Sequence, residues 1–396
     1  MSKAVLRLGL CCMFRDQPIK FVNTTVTAIG KMKRSDAMIK LNRLCIENAD
    51  ALLASLQFCA SNNIGCFRIN SQILPIKTHP ELGYDVSDLP DGNEIIRRFK
   101  ECGEFVKQHK LRTCFHPDQF VVLNSPRVDV VKKSVLELEY QAEVAEWVEA
   151  DVINIHGGGA YGDKQKALAD FARILDKLSP RVRSRLTVEN DDKTYTPADL
   201  LPVCRSTGIP LVYDVHHHRC NPDELSIEEA TKQALATWNR EPMFHISSPI
   251  EGWGGPKAER HHDFIDVNDF PKCWRRRAIT VEVEAKAKEV AVAKLLAELK
   301  NKKSDATWFV YLMRCADNSL YTGITNDLPR RLEQHNAGTA SRYSRSRLPV
   351  ELVYDEPQES QSHALKRELA IKAASRQEKE LLIKSAQQSS LTLEDP

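Results

Sequence analysis

Eight short apolar runs, each of strand length and separated by longer segments, constrain this chain more than any other feature. They are 5–10, 65–69, 111–115, 152–155, 186–188, 210–213, 243–244 and 279–283. Most deliver a side chain able to bind a metal ion at or just past their C-terminal end. These are His116, His156, Glu189, Asp214 with His217, His245 and Glu284, while His262 sits in the loop after the seventh run. The segments between the runs have helical periodicity, and alternating β and α elements predict an α/β fold. A TIM-type (β/α)8 barrel fits best, because it gathers the C-terminal ends of all its strands on one face.

Glu189 and Asp214 end consecutive apolar runs, where a buried carboxylate is costly unless it meets a cation. Carboxylates mixed with imidazoles suit Mn²⁺ or Zn²⁺ better than Ca²⁺, which prefers an all-oxygen shell. Two such ions about 3.5–4 Å apart can activate water and clamp the leaving oxygen of a phosphodiester. The same metals can instead move a hydride in a sugar isomerase, and spacing alone does not separate the two chemistries. His216, His217 and His218 cannot all face inward: on an extended segment at most two share a side, and periodicity does not choose between them. Gly157-Gly158-Gly159 after His156 either lets the backbone approach a ligand or makes a plain tight turn.

The 396 residues predict two or three domains. Net charge is only +2, so nucleic-acid binding must rest on local patches such as 342–347. Eleven cysteines without a CxxC pair argue against zinc-ribbon and thioredoxin-like chemistry and for free thiols in a reducing, intracellular, cytoplasmic setting. No secretory pattern opens the chain and no apolar stretch approaches membrane-spanning length, so no membrane partner is expected. Ser35 is read as the N-cap of a long helix, and 166–178 and 227–238 as further helices, the last opened by Ser226. Residues 285–304, rich in Ala, Lys, Glu and Leu, read as a charged helix. The domain boundaries expected are a barrel over 1–288, a helical linker over 289–305, a small α/β unit over 306–385 and a polar, disordered tail over 386–396.

Ordered motifs then carry a resemblance. Phe67-Arg-Ile, His79-Pro, His116-Pro-Asp-Gln-Phe, Asn154-Ile-His-Gly-Gly-Gly-Ala-Tyr-Gly-Asp-Lys and Val188-Glu-Asn-Asp are followed by Asp214-Val-His-His-His, Phe244-His-Ile-Ser-Ser, His261-His-Asp and Val283-Glu-Ala-Lys. Together they resemble the UV-damage endonuclease family, metal-dependent barrels related to endonuclease IV. The resemblance implies incision of duplex DNA immediately 5′ to UV photoproducts, by a monomer, leaving a 3′-hydroxyl. It also implies Mn²⁺ in two or three positions, with Zn²⁺ as the alternative. Glu189, Asp214, His245 and Glu284 would hold the most buried positions, His116 and His156 would bind on one side, and His217 and His262 on the other. His79 resembles a further histidine of this cluster. Gln119-Phe120 falls where the family carries a Gln-Tyr pair that probes the lesion, and Phe120 keeps the ring but lacks the hydroxyl. At Met243 some members carry a lysine, and a thioether does not replace it for a hard cation.

In the C-terminal segment, 309–311 and 321–323 read as strands joined by a polar turn. Asp327 and Pro329 supply helix-start chemistry, and Arg331 and His335 share one helical face. Glu368 lies in another helix-like run, 362–373. With Leu320-Tyr-Thr-Gly-Ile-Thr-Asn-Asp-Leu, His335-Asn-Ala-Gly and Leu348-Pro-Val-Glu-Leu-Val-Tyr, this segment resembles a GIY-YIG nuclease domain, although Phe309 replaces the first glycine. The resemblance implies one Mg²⁺ or Mn²⁺ on Glu368, phosphate stabilisation by Arg331, and proton handling by Tyr311, Tyr321 or His335. The resulting expectation is a damage-nicking barrel fused to a second module that cuts or aids DNA binding. Its rivals are a metal-dependent sugar isomerase or epimerase on the same barrel, and a damage-binding protein that does not cut.

Overall fold

The computed structural model describes residues 6–275, 277–301, 308–358 and 361–391. The chain divides into two compact units, Met1–Glu298 and Leu299–Pro396. The first holds eight parallel strands closed into a barrel: β1 (Arg7–Cys11), β2 (Cys66–Ile69), β3 (Arg112–Phe115), β4 (Val152–His156), β5 (Leu186–Glu189), β6 (Leu211–Asp214), β7 (Met243–Ile246) and β8 (Thr280–Val283). Each contains most of one apolar run. Barrel strands are buried on both faces, which is why they read as runs and not as alternations.

Side chains two apart on a strand point the same way, so the barrel interior is built in layers. Cys66, Cys114, Val152, Val212 and Met243 form a buried apolar layer. Two residues further along the same strands come Arg68, His116, Asn154, Asp214 and His245. The period of the strand therefore converts an apolar floor into a polar ceiling within one step. On β1, Gly9 pairs with Glu282, and a Cβ at Gly9 would lie 3.2 Å from the Cβ of Cys66 and 3.4 Å from the Cγ of Glu282. The missing side chain leaves room for the Glu282 carboxylate inside the barrel.

The long helix is Arg34–Ser61, so Ser35 lies in its first turn and makes no cap; the cap position belongs to Lys33. Ser226 does cap Ile227–Leu235, accepting from the N–H of Glu229 at 3.1 Å. The charged segment forms the helix Lys288–Asn301, which buries Ala291, Val292 and Leu295. Its Glu289 carboxylate accepts the backbone N–H groups of Arg15 and Asp16 at 2.8 and 2.7 Å. Up to the unit boundary, this helix packs as the last helix of the barrel. Residues 302–305, where the sequence pattern breaks, lie outside the described residues.

The second unit has three antiparallel strands, β9 (Trp308–Cys315), β10 (Leu320–Thr325) and β11 (Val350–Gln358), in the order β10-β9-β11. Alternate residues of β9 serve two cores: Val310 and Leu312 pack with Ala364, Ile371 and Ile383, while Tyr311, Met313 and Cys315 pack with Val350. The helices Gln361–Ala373 and Arg376–Leu391 supply residues of the first core, so the polar segment from 386 continues a helix as far as Leu391. The expected tail beyond it, 392–396, lies outside the described residues.

One buried amide holds two loops at the C-terminal face of the barrel. Asn48 Oδ1 accepts from Val22 N at 2.8 Å, and Nδ2 donates to Val22 O and Ile73 O at 3.0 and 2.8 Å. Asn48→Ala would strand these backbone groups, and a loss of about 2 kcal/mol is expected by denaturant titration.

Candidate metal centre and a second polar site

The strand ends place seven of the nine expected barrel residues in three overlapping groups: His116, His156 and Glu189; His116, His245 and Glu284; and Glu189, Asp214 and His217. Within each group, one ligand atom per residue lies within 4.8 Å of the others. Glu189 is fully buried and shared by two groups. Its Oε2 lies 2.9 Å from His116 Nε2, and its Oε1 lies 3.2 Å from both His217 Nδ1 and His245 Nδ1. Adjacent ligands on one ion bound at about 2.1 Å stand roughly 3 Å apart, so these separations fit a shared ion.

The unpaired atoms test that fit. Glu189 Oε1, Asp214 Oδ2, His156 Nδ1 and His245 Nδ1 are buried without a hydrogen-bond partner. Four such orphans in one cluster would be costly, and a divalent cation satisfies acceptors of this kind together. Burial opposes charge on Glu189, yet the imidazoles of His245 and His156, the hydrogen bond from His116 and the nearby His217 hold its carboxyl well below the usual range. Burial pushes His156 down, which favours the neutral imidazole that binds metal. Burial also acts to lower His217, but Asp214 and Glu189 raise it well above the ordinary value.

The histidine triplet does not run extended. Asp214 caps a short helix, Val215–Cys220, by accepting the N–H of His217 at 2.8 Å. Successive side chains then diverge by about 100°. His217 turns to Glu189. His216 packs against the rings of Trp253 and His261, with centroids 5.2 and 5.1 Å away. His218 lies between the Tyr213 hydroxyl at 2.7 Å and Asp223 Oδ1 at 3.0 Å.

Two expected residues fall outside the three groups. His79 accepts the N–H groups of Glu81 and Leu82 at its Nδ1, and lines a separate cavity of about 940 Å³ with Phe120, Gln72 and Tyr140. His262 accepts the N–H of Phe264 at 2.9 Å and lines another cavity of about 420 Å³. Its neighbour His261 bridges Pro249 in extended form, so the two side chains point apart. His261 faces the centre, with Nδ1 3.8 Å from Glu284 Oε2. The doubled His261-His262 offered no pattern to separate them.

Sequence reading also missed Arg68 and Glu282. Arg68 Nη2 lies 2.6 Å from Glu282 Oε2 and 2.5 Å from Glu284 Oε1, and Glu282 Oε2 lies 2.9 Å from His245 Nε2. Spacing was the available signal: Glu282 and Glu284 stand two apart on one strand face. Met243 lies in the apolar layer below, with no polar partner from β7. The glycine run serves packing: Gly158 has φ +82°, and a Cβ there would stand 2.1 Å from Asn124 Oδ1. Gln119 and Phe120 project into solvent, Phe120 with 76% of its surface exposed.

In the second unit, Asp327 caps the helix Leu328–Asn336, with Pro329 in its first turn. That helix turns Arg331 and His335 onto one tyrosine: Arg331 Nε donates to the Tyr311 hydroxyl at 3.1 Å, which lies 3.0 Å from His335 Nε2. A Cβ on Gly323 would come within 2.5 Å of that hydroxyl, so only glycine leaves the tyrosine its place. The Tyr321 ring lies 5.0 Å from that of His335. Glu368 is paired with Lys372 at 3.0 Å and acts electrostatically on Tyr311.

Both domains have known relatives. The family model for UV-endonuclease UvdE matches residues 6–307, and that for the GIY-YIG catalytic domain matches 307–381. This chain belongs to the UvdE family. It is 33% identical over 301 residues to a UV DNA damage endonuclease of Bacillus velezensis, covering 73% of this chain and 91% of that protein. A Bacillus pumilus protein of the same name is 34% identical, over 69% of this chain and 87% of its own length. The solved structure of SacUVDE superposes with TM-score 0.67 and 26% identity, covering 75% of this chain and 99% of that one. In this UvdE-family chain the GIY-YIG domain follows the barrel directly, as the two matched segments meet at 307.

Burial, with the Arg331 charge adding to it, pushes the His335 imidazole down to about 4. An unfolded histidine takes its proton near about 6.5, so between these values the unfolded state binds more protons and stability rises with pH. The stabilisation is full above about 6.5 and is lost as pH falls toward 4. Imidazole NMR should show His335 neutral until about pH 4; titration near the ordinary value would contradict its burial.

Proposed function

We propose that this protein is a DNA-repair endonuclease that nicks damaged duplex DNA 5′ to UV photoproducts, and that its second domain makes a further cut. The shared Glu189 carboxylate, its Oε1 unsatisfied at the meeting point of two ligand groups, carries this reading. His116, His156, Glu189, Asp214 and His217 would hold the ions, with His245 and Glu284 lining the same centre, and Mn²⁺ suits this mixture of imidazole and carboxylate. Bound there, divalent ions supply a water nucleophile at neutral pH and charge for the leaving oxygen.

The chain's own groups do the rest. Asn154 Nδ2 donates to Glu189 Oε2, and Asp214 Oδ1 accepts the backbone N–H of His217 at 2.8 Å, so both carboxylates are aimed before substrate arrives. Exposed Gln119 and Phe120 are available to enter the gap left by unstacked bases, as apolar wedges do in kinked duplexes. In the second domain, Arg331 offers a guanidinium to a phosphate, and neutral His335 is set to relay a proton from Tyr311. Glu368 would hold a Mg²⁺ or Mn²⁺ ion there. Two relatives named UV DNA damage endonucleases match the barrel, which supports this substrate class over free sugars. No helix of the described residues is long and apolar enough to cross a membrane, and all eleven cysteines are free thiols, which suits a reducing compartment where DNA is held.

On a duplex bearing one defined photoproduct, with Mn²⁺, the protein should nick 5′ to the lesion. Glu189→Gln should lower that nicking on the order of 10³-fold, with circular dichroism unchanged. Unchanged nicking would refute the centre. Glu368→Gln should abolish a second product and leave the first. Phe120→Ala should weaken binding to lesion DNA by about 1–3 kcal/mol and leave undamaged duplex unaffected.

A further inference from the structure

We propose that Arg68 is a fixed cation of the barrel centre, closing one corner of it so that the barrel holds two divalent ions and not three. This rests on the multi-ion reading of the site given above. Arg68 comes from β2 and points into the polar layer, with its side chain nearly buried. Its Nε and Nη2 both reach Glu282 Oε2, at 2.8 and 2.6 Å, so the guanidinium is held at two points. Nη2 also lies 2.5 Å from Glu284 Oε1 and 3.3 Å from His245 Nε2. Glu284 and His245 are two of the three members of the group completed by His116. A guanidinium already in contact with both would repel a divalent ion placed among them, and it cannot lose its proton to make way.

The other two groups are free of this neighbour. His116, His156 and Glu189 form one, and Glu189, Asp214 and His217 the other, with Glu189 able to bridge. Charge favours the same count. Glu189, Asp214, Glu282 and Glu284 bring four negative charges to the layer, and two divalent ions with Arg68 exceed them by one. That excess matches a single phosphodiester. A third ion would leave an excess of three in a site largely withdrawn from water, where uncompensated charge is costly.

Glu282 is the positioning partner in this arrangement. It anchors Arg68 and contacts Nε2 of His245, which leaves the Nδ1 of His245 toward Glu189 and Glu284. Carboxylates behind a ligating histidine orient the ring and set its tautomer. Cys114 donates its thiol to the remaining Glu282 oxygen at 3.1 Å, so both carboxylate oxygens are engaged.

Counting ions tests the proposal without DNA. The full chain carrying Glu368→Gln, which empties the second domain, would be loaded with Mn²⁺, desalted and assayed by plasma mass spectrometry and calorimetric titration. Two ions per chain are expected. Three would overturn the proposal, and one or none would overturn it together with the metal reading beneath it. In the same background, Arg68→Gln should raise the count to three, while Arg68→Lys, which keeps the charge, should leave it at two. A folded Arg68→Gln protein still holding two ions would overturn the blocking role. If Arg68→Gln does not fold, the parent and Arg68→Lys counts decide the question. Failure of nicking with two ions bound would instead count against the repair function alone.

Discussion

A carboxylate with no exposed surface governs the barrel. Glu189 ends β5 fully buried, and burial alone would favour its neutral form. Its neighbours reverse that preference: imidazoles approach from β3, β7 and the helix after β6, and an amide from β4. Four strands or their extensions are thereby committed to one group. Any of them displaced would leave a buried charge unmatched, which costs more than the contact itself contributes. The geometry of the centre and the closure of the barrel are consequently one constraint. The apolar layer of Cys66, Cys114, Val152, Val212 and Met243 beneath it seals the polar layer from the other end.

What could be read in the sequence followed from periodicity. Strand ends and the residues after them were legible because a barrel strand is an apolar run and its last inward residue is set by a period of two. The candidate residues Glu189, Asp214 and His245 therefore lie together at one end of the barrel. The triplet 216–218 was not resolved, since an extended segment and a capped helical turn send the middle residue in different directions. Only the Asp214 cap, a local hydrogen bond, decides between them. The pair 261–262 could not be separated for the opposite reason: it is extended, so one side chain must face each way, and registration against Pro249 picks which.

Arg68 and Glu282 escaped notice because neither resembles a ligand when read alone. An arginine inside an apolar run looks like an edge or surface residue, and a glutamate two before another looks like solvated charge. Their meaning is relational. Arg68 belongs to β2 and Glu282 to β8, and only closure of the barrel through β1 brings them together. Gly9 on that intervening strand is the one sequence trace of the contact, since a side chain there would press on Glu282. The two-residue spacing of Glu282 and Glu284 marks their shared strand face, but no spacing along the chain marks a pair formed across the barrel.

The two domains meet the same chemical demand with different sources of charge. The barrel gathers at least three imidazoles and several carboxylates, whose binding of a cation releases or excludes protons, so its occupancy must weaken as the medium becomes acid. In the second domain positive charge is covalent: the Arg331 guanidinium persists at any working pH, and His335 is kept neutral by burial beside it. There one carboxylate, Glu368, is available for an ion, against four acidic groups in the barrel layer. On the proposed function, such a chain would have one centre whose competence depends on a loaded set of ions and one whose charge for a phosphate is already present. Lowering pH or chelating metal should then silence the barrel's chemistry before it removes the second domain's hold on phosphate.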